Sequence, residues 1–301
     1  MIWTNTPERI GCQQQPAGLS PRIRTLTLRE FRGWTLLFAG ASYWGGVVRT
    51  HLHGEAISLV SIAQSVLSDG GFNVAAWVMI AAWANRIPPH GFATRRQIAI
   101  AIAFGVLFGI PTRQATIGGL LVLGVVLAIT SETRHGRLVA TLLVALAIEM
   151  VWTSTYLLPL HAAVATFDAQ VCRTILGLIG EIIQVHGNVL ENARAGINVE
   201  IIAFCASSFP LAGVAMAFLV VMSYWGRVPR LADLSWLATA LLASVALTEF
   251  RLSLMALGDA NYVWLHDGNG GTLYTLSGTA LAVLFPMLAI RRSRPARALA
   301  A

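Results

Sequence analysis

Lysine is missing altogether from this sequence: all 21 basic residues of its 301 are arginine. Charge of either sign is scarce at 12%, against roughly 25% in an ordinary soluble domain, while hydrophobic residues make up 56%. That balance excludes a soluble globular chain and implies an integral membrane protein. The three cysteines, Cys12, Cys172 and Cys205, show no CxxC spacing and no His or Cys neighbours at metal-site intervals, which excludes a zinc site. One disulfide, Cys172 to Cys205, is conceivable on an oxidising face, but a thiol that acts as a nucleophile cannot be held in a bridge. Also missing are a solenoid repeat, a low-complexity tract, a Gly-rich phosphate loop and a second soluble domain. The first thirty or so residues lack the apolar core of a cleavable signal peptide, so the N-terminus is expected to be retained.

What is present is a series of apolar runs, at about 34–50, 72–87, 97–111, 114–131, 138–158, 205–225, 233–257 and 272–290. They predict an all-α protein of eight transmembrane helices. The intervening HLHGEAISLVSIAQSVLSDGG is amphipathic and reads as an interfacial segment; its His51 and His53 have no evident third metal ligand and read as a solvated loop. The arginines fit this count. Clusters at Arg22–Arg32, Arg86–Arg96, Arg134–Arg137, Arg227–Arg230 and Arg291–Arg297 all fall on one side if both termini are cytoplasmic, while the opposite connections carry few basics. The net charge of +7 is therefore topology signal and not a nucleic-acid surface. The expected organisation is a cytoplasmic segment 1–33, N-terminal transmembrane helices 34–160, an extracytoplasmic segment 161–204, a catalytic transmembrane core 205–290 and a cytoplasmic Arg-rich tail 291–301.

The extracytoplasmic segment opens with HAAVATFDAQVCRTILGLIGEIIQ. Val164, Phe167, Val171, Ile175, Leu178 and Ile182 recur at helical spacing opposite Asp168, Gln170 and Arg173, which predicts a helix lying on the membrane. GNVLE and INVEI, two strand-like runs joined by NARAG, predict a short β-hairpin next. Hairpin and helix are expected to form a platform over the outer ends of spans six to eight.

Three residues with chemistry to offer converge on that face. Cys205 opens span six, Arg251 lies near the outer end of span seven, and His266 lies in the loop before span eight. An arginine inside an apolar span is expensive and tends to be functional. A nucleophilic thiol needs a cationic neighbour to stabilise its thiolate, so Cys205 is expected to be alkylated at lower pH than a free thiol of pKa about 8.5. A His can pass a proton to the leaving amine, and an Arg can donate to an oxyanion. Against this stand plainer readings: Cys205 as a small packing residue, His266 hydrogen-bonded to Asp267, Arg251 snorkelling or paired with Glu249. Trp152, Trp236 and Glu149 read as packing or interface positions.

At these residues the chain resembles a known family. GNVLENARAGINVEIIAFCASS, then TEFRLSLMAL, then WLHDGNGGTLYTLSG, covering roughly residues 138–290, is similar to the exosortase/archaeosortase family of membrane-embedded cysteine transpeptidase-like enzymes. The resemblance implies that Cys205 is the nucleophile, with Arg251 and His266 as its catalytic partners. It also implies a membrane-anchored protein substrate recognised by a C-terminal sorting signal. The family commonly has Cys-Ser-Gly where this chain has Cys205-Ala206-Ser207-Ser208, and an Asn where this chain has Thr248; these departures bear on subfamily and substrate.

The reading is thus a multi-pass inner-membrane thiol protease or transpeptidase of exported proteins. Its site faces the extracytoplasmic side and its reaction requires no metal or organic cofactor; its partners are the substrate protein and the lipid bilayer, with no nucleic acid. The alternatives are a polytopic transporter, in which Arg251 and Glu249 line a polar path, and a non-enzymatic assembly factor for polysaccharide export.

Overall fold

The computed structural model describes residues 35–44, 71–86, 95–110, 112–154, 157–266 and 268–292. The N-terminal segment with Cys12, the interfacial stretch with His51 and His53, Asp267 and most of the Arg-rich tail lie outside the described residues. The protein is mostly helical. In chain order the helices are α1 (35–44), α2 (Gly71–Ala84), α3 (Arg95–Gly109), α4 (Arg113–Thr130), α5 (Arg134–Trp152), α6 (Leu158–Leu178), α7 (Leu211–Tyr224), α8 (Leu234–Met255), α9 (Asp259–His266) and α10 (Asn269–Arg292). Between α6 and α7 lie β1 (Gln184–His186), β2 (Val189–Asn192) and β3 (Ile197–Glu200).

A helix falls in each interval where a span is predicted, but four are long and apolar enough to cross a membrane: Arg113–Thr130, Arg134–Trp152, Leu231–Met255 and Asn269–Arg292. α2 and α7 are apolar but shorter, at 14 residues each. Large apolar side chains stand outward on the long helices, among them Ile129, Leu242, Phe250 and Leu276, each more than half exposed. A surface of that kind requires an apolar surrounding, which the bilayer supplies.

α5 is the hub. Leu138, Leu142, Leu143, Leu146 and Met150 pack in one cluster with Tyr43, Ile80, Phe104, Leu120 and Met216 from α1, α2, α3, α4 and α7. α4 and α5 form a tight helical hairpin. Thr112 and Thr133 cap their N-termini, accepting from Ala115 N at 3.3 Å and Gly136 N at 3.1 Å. A Cβ on Gly124 would come within 2.6 Å of Val144 Cγ2, so only glycine lets the two backbones approach as they do. Arg113, an exception to the one-sided arginine distribution, donates to Met150 O at 2.8 Å and Thr153 Oγ1 at 2.9 Å. It is held by the carbonyl end of α5.

The predicted hairpin is present and gains a third strand. β1 pairs with β2, and β2 with β3, all antiparallel, with His186 opposite Val189 and Asn192 opposite Ile197. Gly187 (φ +67°) turns the first connection and Gly196 (φ +67°) closes the second, both in the left-handed region that favours glycine. Asn192 does two jobs in NARAG. Its Oδ1 accepts from Ala195 N at 3.1 Å and its Nδ2 donates to Ala256 O at 3.0 Å, just past α8. With Leu190, Val199 and Ile201 packed against Ala165, Ala169, Cys172, Leu176, Leu252 and Ala256, the sheet is seated between α6 and the end of α8. Asn192→Ala leaves two backbone groups without these partners. It is expected to lower stability by about 1–3 kcal/mol, read as a reduced thermal midpoint of the detergent-solubilised protein.

Two expectations need correction here. The helix α7 starts at Leu211, and Cys205 lies before it, at the end of a 3₁₀ turn, Ala203–Cys205. The polar run Ala206–Pro210 keeps the chain from entering the helix at the cysteine. The face of α6 is also rotated from the predicted one. Phe167 and Leu178 are exposed, and the buried stripe is His161, Ala165, Asp168, Ala169, Cys172 and Leu176. Asp168 points inward because it has hydrogen-bond partners there.

Candidate active site

The Cys205 loop, Ala206 to Pro210, is held by side chains from α5 and α6. Ser207 N–H donates to Asp168 Oδ2 at 2.7 Å and Ser207 Oγ–H to Asp168 Oδ1 at 2.8 Å. Trp152 Nε1–H donates to Ser208 O at 2.9 Å. His161 lies between Ser208 Oγ, 2.8 Å from Nδ1, and Trp152 O, 3.0 Å from Nε2. A carbonyl can only accept, so Nε2 carries the proton and Nδ1 accepts from the Ser208 hydroxyl. Both nitrogens of His161 are thereby occupied in fixing the loop.

Cys205 is a half-buried free thiol, as Cys172 is a buried one; the two are not bridged. Burial pushes the Cys205 thiol above its ordinary value, and the Arg251 charge opposes the rise without cancelling it. The expected low-pH reactivity is therefore overturned: at rest Cys205 is a neutral thiol. Cys172 is pushed up to about 12, chiefly by burial. Because both shifts favour the protonated form, alkylation of Cys205 should rise with pH through a midpoint above the free-thiol value of about 8.5. Cys172 should stay unlabelled until far more alkaline pH. Peptide-level mass spectrometry after iodoacetamide treatment across pH checks this ordering.

Arg251 stands on the last turns of α8. Its guanidinium lies over the Tyr274 ring, 4.6 Å from the centroid, and its Nη2 donates to Leu265 O at 3.3 Å. Tyr274 is fixed in turn by a 2.9 Å hydrogen bond with Thr248, the residue at the departed family position. No carboxylate among the described residues pairs with Arg251, and its buried Nε has no partner among them. Glu249, the predicted alternative partner, points elsewhere, since residues two apart on a helix face different ways. It receives the Cys172 thiol at 3.4 Å and lies in hydrogen-bond reach of Asp168.

His266 ends α9, exposed, its ring stacked on Tyr262 with centroids 5.1 Å apart and planes 8° apart. Tyr262 and Cys205 both pack on the cluster formed by α6, the sheet and the end of α8. The run GNGG after His266 is a packing requirement: a Cβ on Gly270 would lie 2.7 Å from the Trp264 ring.

The structure thus brings Arg251 to Cys205 by charge and to the residue before His266 by a hydrogen bond. Residue-level reading missed Asp168, Ser207, His161 and Ser208. The available signal was a lone acid in a largely apolar helix and two serines directly after the cysteine. The loop amides of Cys205, Ala206, Ser207 and Phe209 are all engaged, with Ile202 O, Ala203 O, Asp168 and Ala206 O. An oxyanion formed at Cys205 would look to Arg251 for its donor. Among the described residues no His, Cys, Asp and Glu group could hold a metal ion. No family model, no curated protein and no solved structure is matched by this chain.

Proposed function

We propose that this protein is a membrane-embedded cysteine peptidase or transpeptidase of the exosortase kind, acting on membrane-anchored proteins that carry a C-terminal sorting signal. The supporting observation is Arg251: partly buried, without a carboxylate partner, its Nε free, and set between the thiol of Cys205 and the residue before His266. An unpaired guanidinium beside a thiol is a site for negative charge that develops during reaction.

In the proposed sequence His266 takes the Cys205 proton as the sulfur attacks the substrate carbonyl carbon. Arg251 donates to the resulting oxyanion. The C–N bond then breaks, His266 returns the proton to the leaving amine, and a thioester on Cys205 remains. An incoming amine or water attacks the thioester and releases the thiol. Because the resting thiol is neutral, proton transfer accompanies attack. The chain crosses the membrane eight times with both termini cytoplasmic, which places residues 161–204 and 258–271 outside, where a laterally approaching substrate presents its signal.

Two experiments test this. A tail-bearing protein co-expressed with the enzyme should form an adduct on Cys205 that hydroxylamine releases; no such adduct, with the substrate left intact, counts against the reading. Reporter fusions at Arg194 and Asn269 should be active only as extracytoplasmic reporters, and a cytoplasmic signal at either point overturns the topology.

A further inference from the structure

The nucleophile of the proposed reaction stands on a short irregular loop. Such a loop has little rigidity of its own, so the position of Cys205 depends on what grips the residues beside it. We infer that Asp168 is a positioning residue for Cys205: by taking the N–H and the O–H of Ser207 on its two carboxylate oxygens, it sets where the sulfur stands relative to Arg251. The inference rests on the cysteine-enzyme reading above and adds to it a residue from outside the cysteine, arginine and histidine set.

The geometry carries it in three steps. Two bonds of 2.7 and 2.8 Å from one carboxyl group to one residue fix both the position and the rotation of the Ala206–Ser207 peptide, which a single bond would not. Asp168 is fully buried, at 0% exposure, where an acid without partners would be costly; it is held in place by the groups it holds. Its other neighbour is Glu249 on α8, two residues before Arg251. One carboxyl group is therefore wedged between the loop of the thiol and the helix of the guanidinium, and the register of one to the other runs through it. Direct participation as a base is excluded by the same contacts, because both oxygens of Asp168 are occupied by Ser207.

The test is a double-mutant cycle read on the thiol itself, in the intact membrane-inserted chain. Iodoacetamide is the probe, and the alkylation rate of Cys205 is measured by peptide mass spectrometry at one mildly alkaline pH. Arg251→Gln should slow alkylation several-fold, since the charge that opposes burial is gone. In a Ser207→Ala or Asp168→Asn background the additional effect of Arg251→Gln should shrink to less than about twofold, because the sulfur no longer sits where the guanidinium acts on it. An unchanged factor in those backgrounds overturns the positioning role while leaving the coupling of Arg251 to Cys205 intact. No effect of Arg251→Gln in the parent chain sinks that coupling, and with it the reading on which this inference depends. Asp168→Asn also separates position from charge. Removing a nearby negative charge alone would speed alkylation without weakening the response to Arg251→Gln. If Asp168→Asn fails to insert, Ser207→Ala, which changes no charge, carries the cycle by itself.

Discussion

Cys205→Ala is expected to abolish processing of a tail-bearing substrate, by about 10⁴-fold or more, while the protein remains folded and inserted. The structural reason for expecting a clean result is that the thiol anchors nothing. The Cys205 amide bonds to Ile202 O through its backbone, and the loop is gripped at Ser207 and Ser208, so a methyl group leaves every one of those bonds in place. Cys172→Ser is the matched control. A serine hydroxyl can still donate to Glu249, as the Cys172 thiol does at 3.4 Å, and processing should not change. Following the mass of a co-expressed substrate distinguishes the two. Normal processing by Cys205→Ala would remove the enzyme reading and leave a transporter or an assembly factor in its place.

Arg251→Lys should reduce processing by about 10²–10³-fold, the range for loss of one oxyanion donor. Lysine keeps the charge but offers a point donor on a flexible stem. It has no planar group to lie over Tyr274, and no Nε left free while another nitrogen holds Leu265 O. The two candidate roles of Arg251 then separate. If the residue acts as a donor to the oxyanion, alkylation of Cys205 stays close to that of the parent while processing collapses. If it acts only by charge, both survive the substitution. A lysine variant that processes substrate at the parental rate would dismiss the donor role.

The apolar runs and the arginine distribution disclosed the helices because both follow from the solvent alone, and no tertiary knowledge is needed to read them. The hairpin was legible for a local reason: Asn192 and Gly196 supply the turn chemistry within five residues. Arg251 was legible because an arginine in an apolar helix has few cheap explanations. The direction of Asp168 was not. Periodicity on α6 assigns an acid to the solvated side, and only a donor 39 residues away in sequence, the Ser207 N–H and O–H, reverses that assignment. The thiol's ionisation escaped for a similar reason. A neighbouring guanidinium can be inferred from topology, whereas the desolvation that outweighs it depends on how Ala206, Leu252 and Ala256 close around the loop.

The glycine-packed pair α4 and α5 bears on how the protein is made. Three residues, Ser131 to Thr133, connect the two helices, and their contact at Gly124 and Val144 needs nothing from elsewhere in the chain. Contacts of such short range form early, and during synthesis they can form as soon as the second helix reaches the bilayer. Asp168, Cys205, Arg251 and His266 are all translated later. The nascent chain therefore has a finished seat in the membrane before any of its reactive residues exists, and the seat includes Trp152, which receives the loop of Cys205 when it arrives.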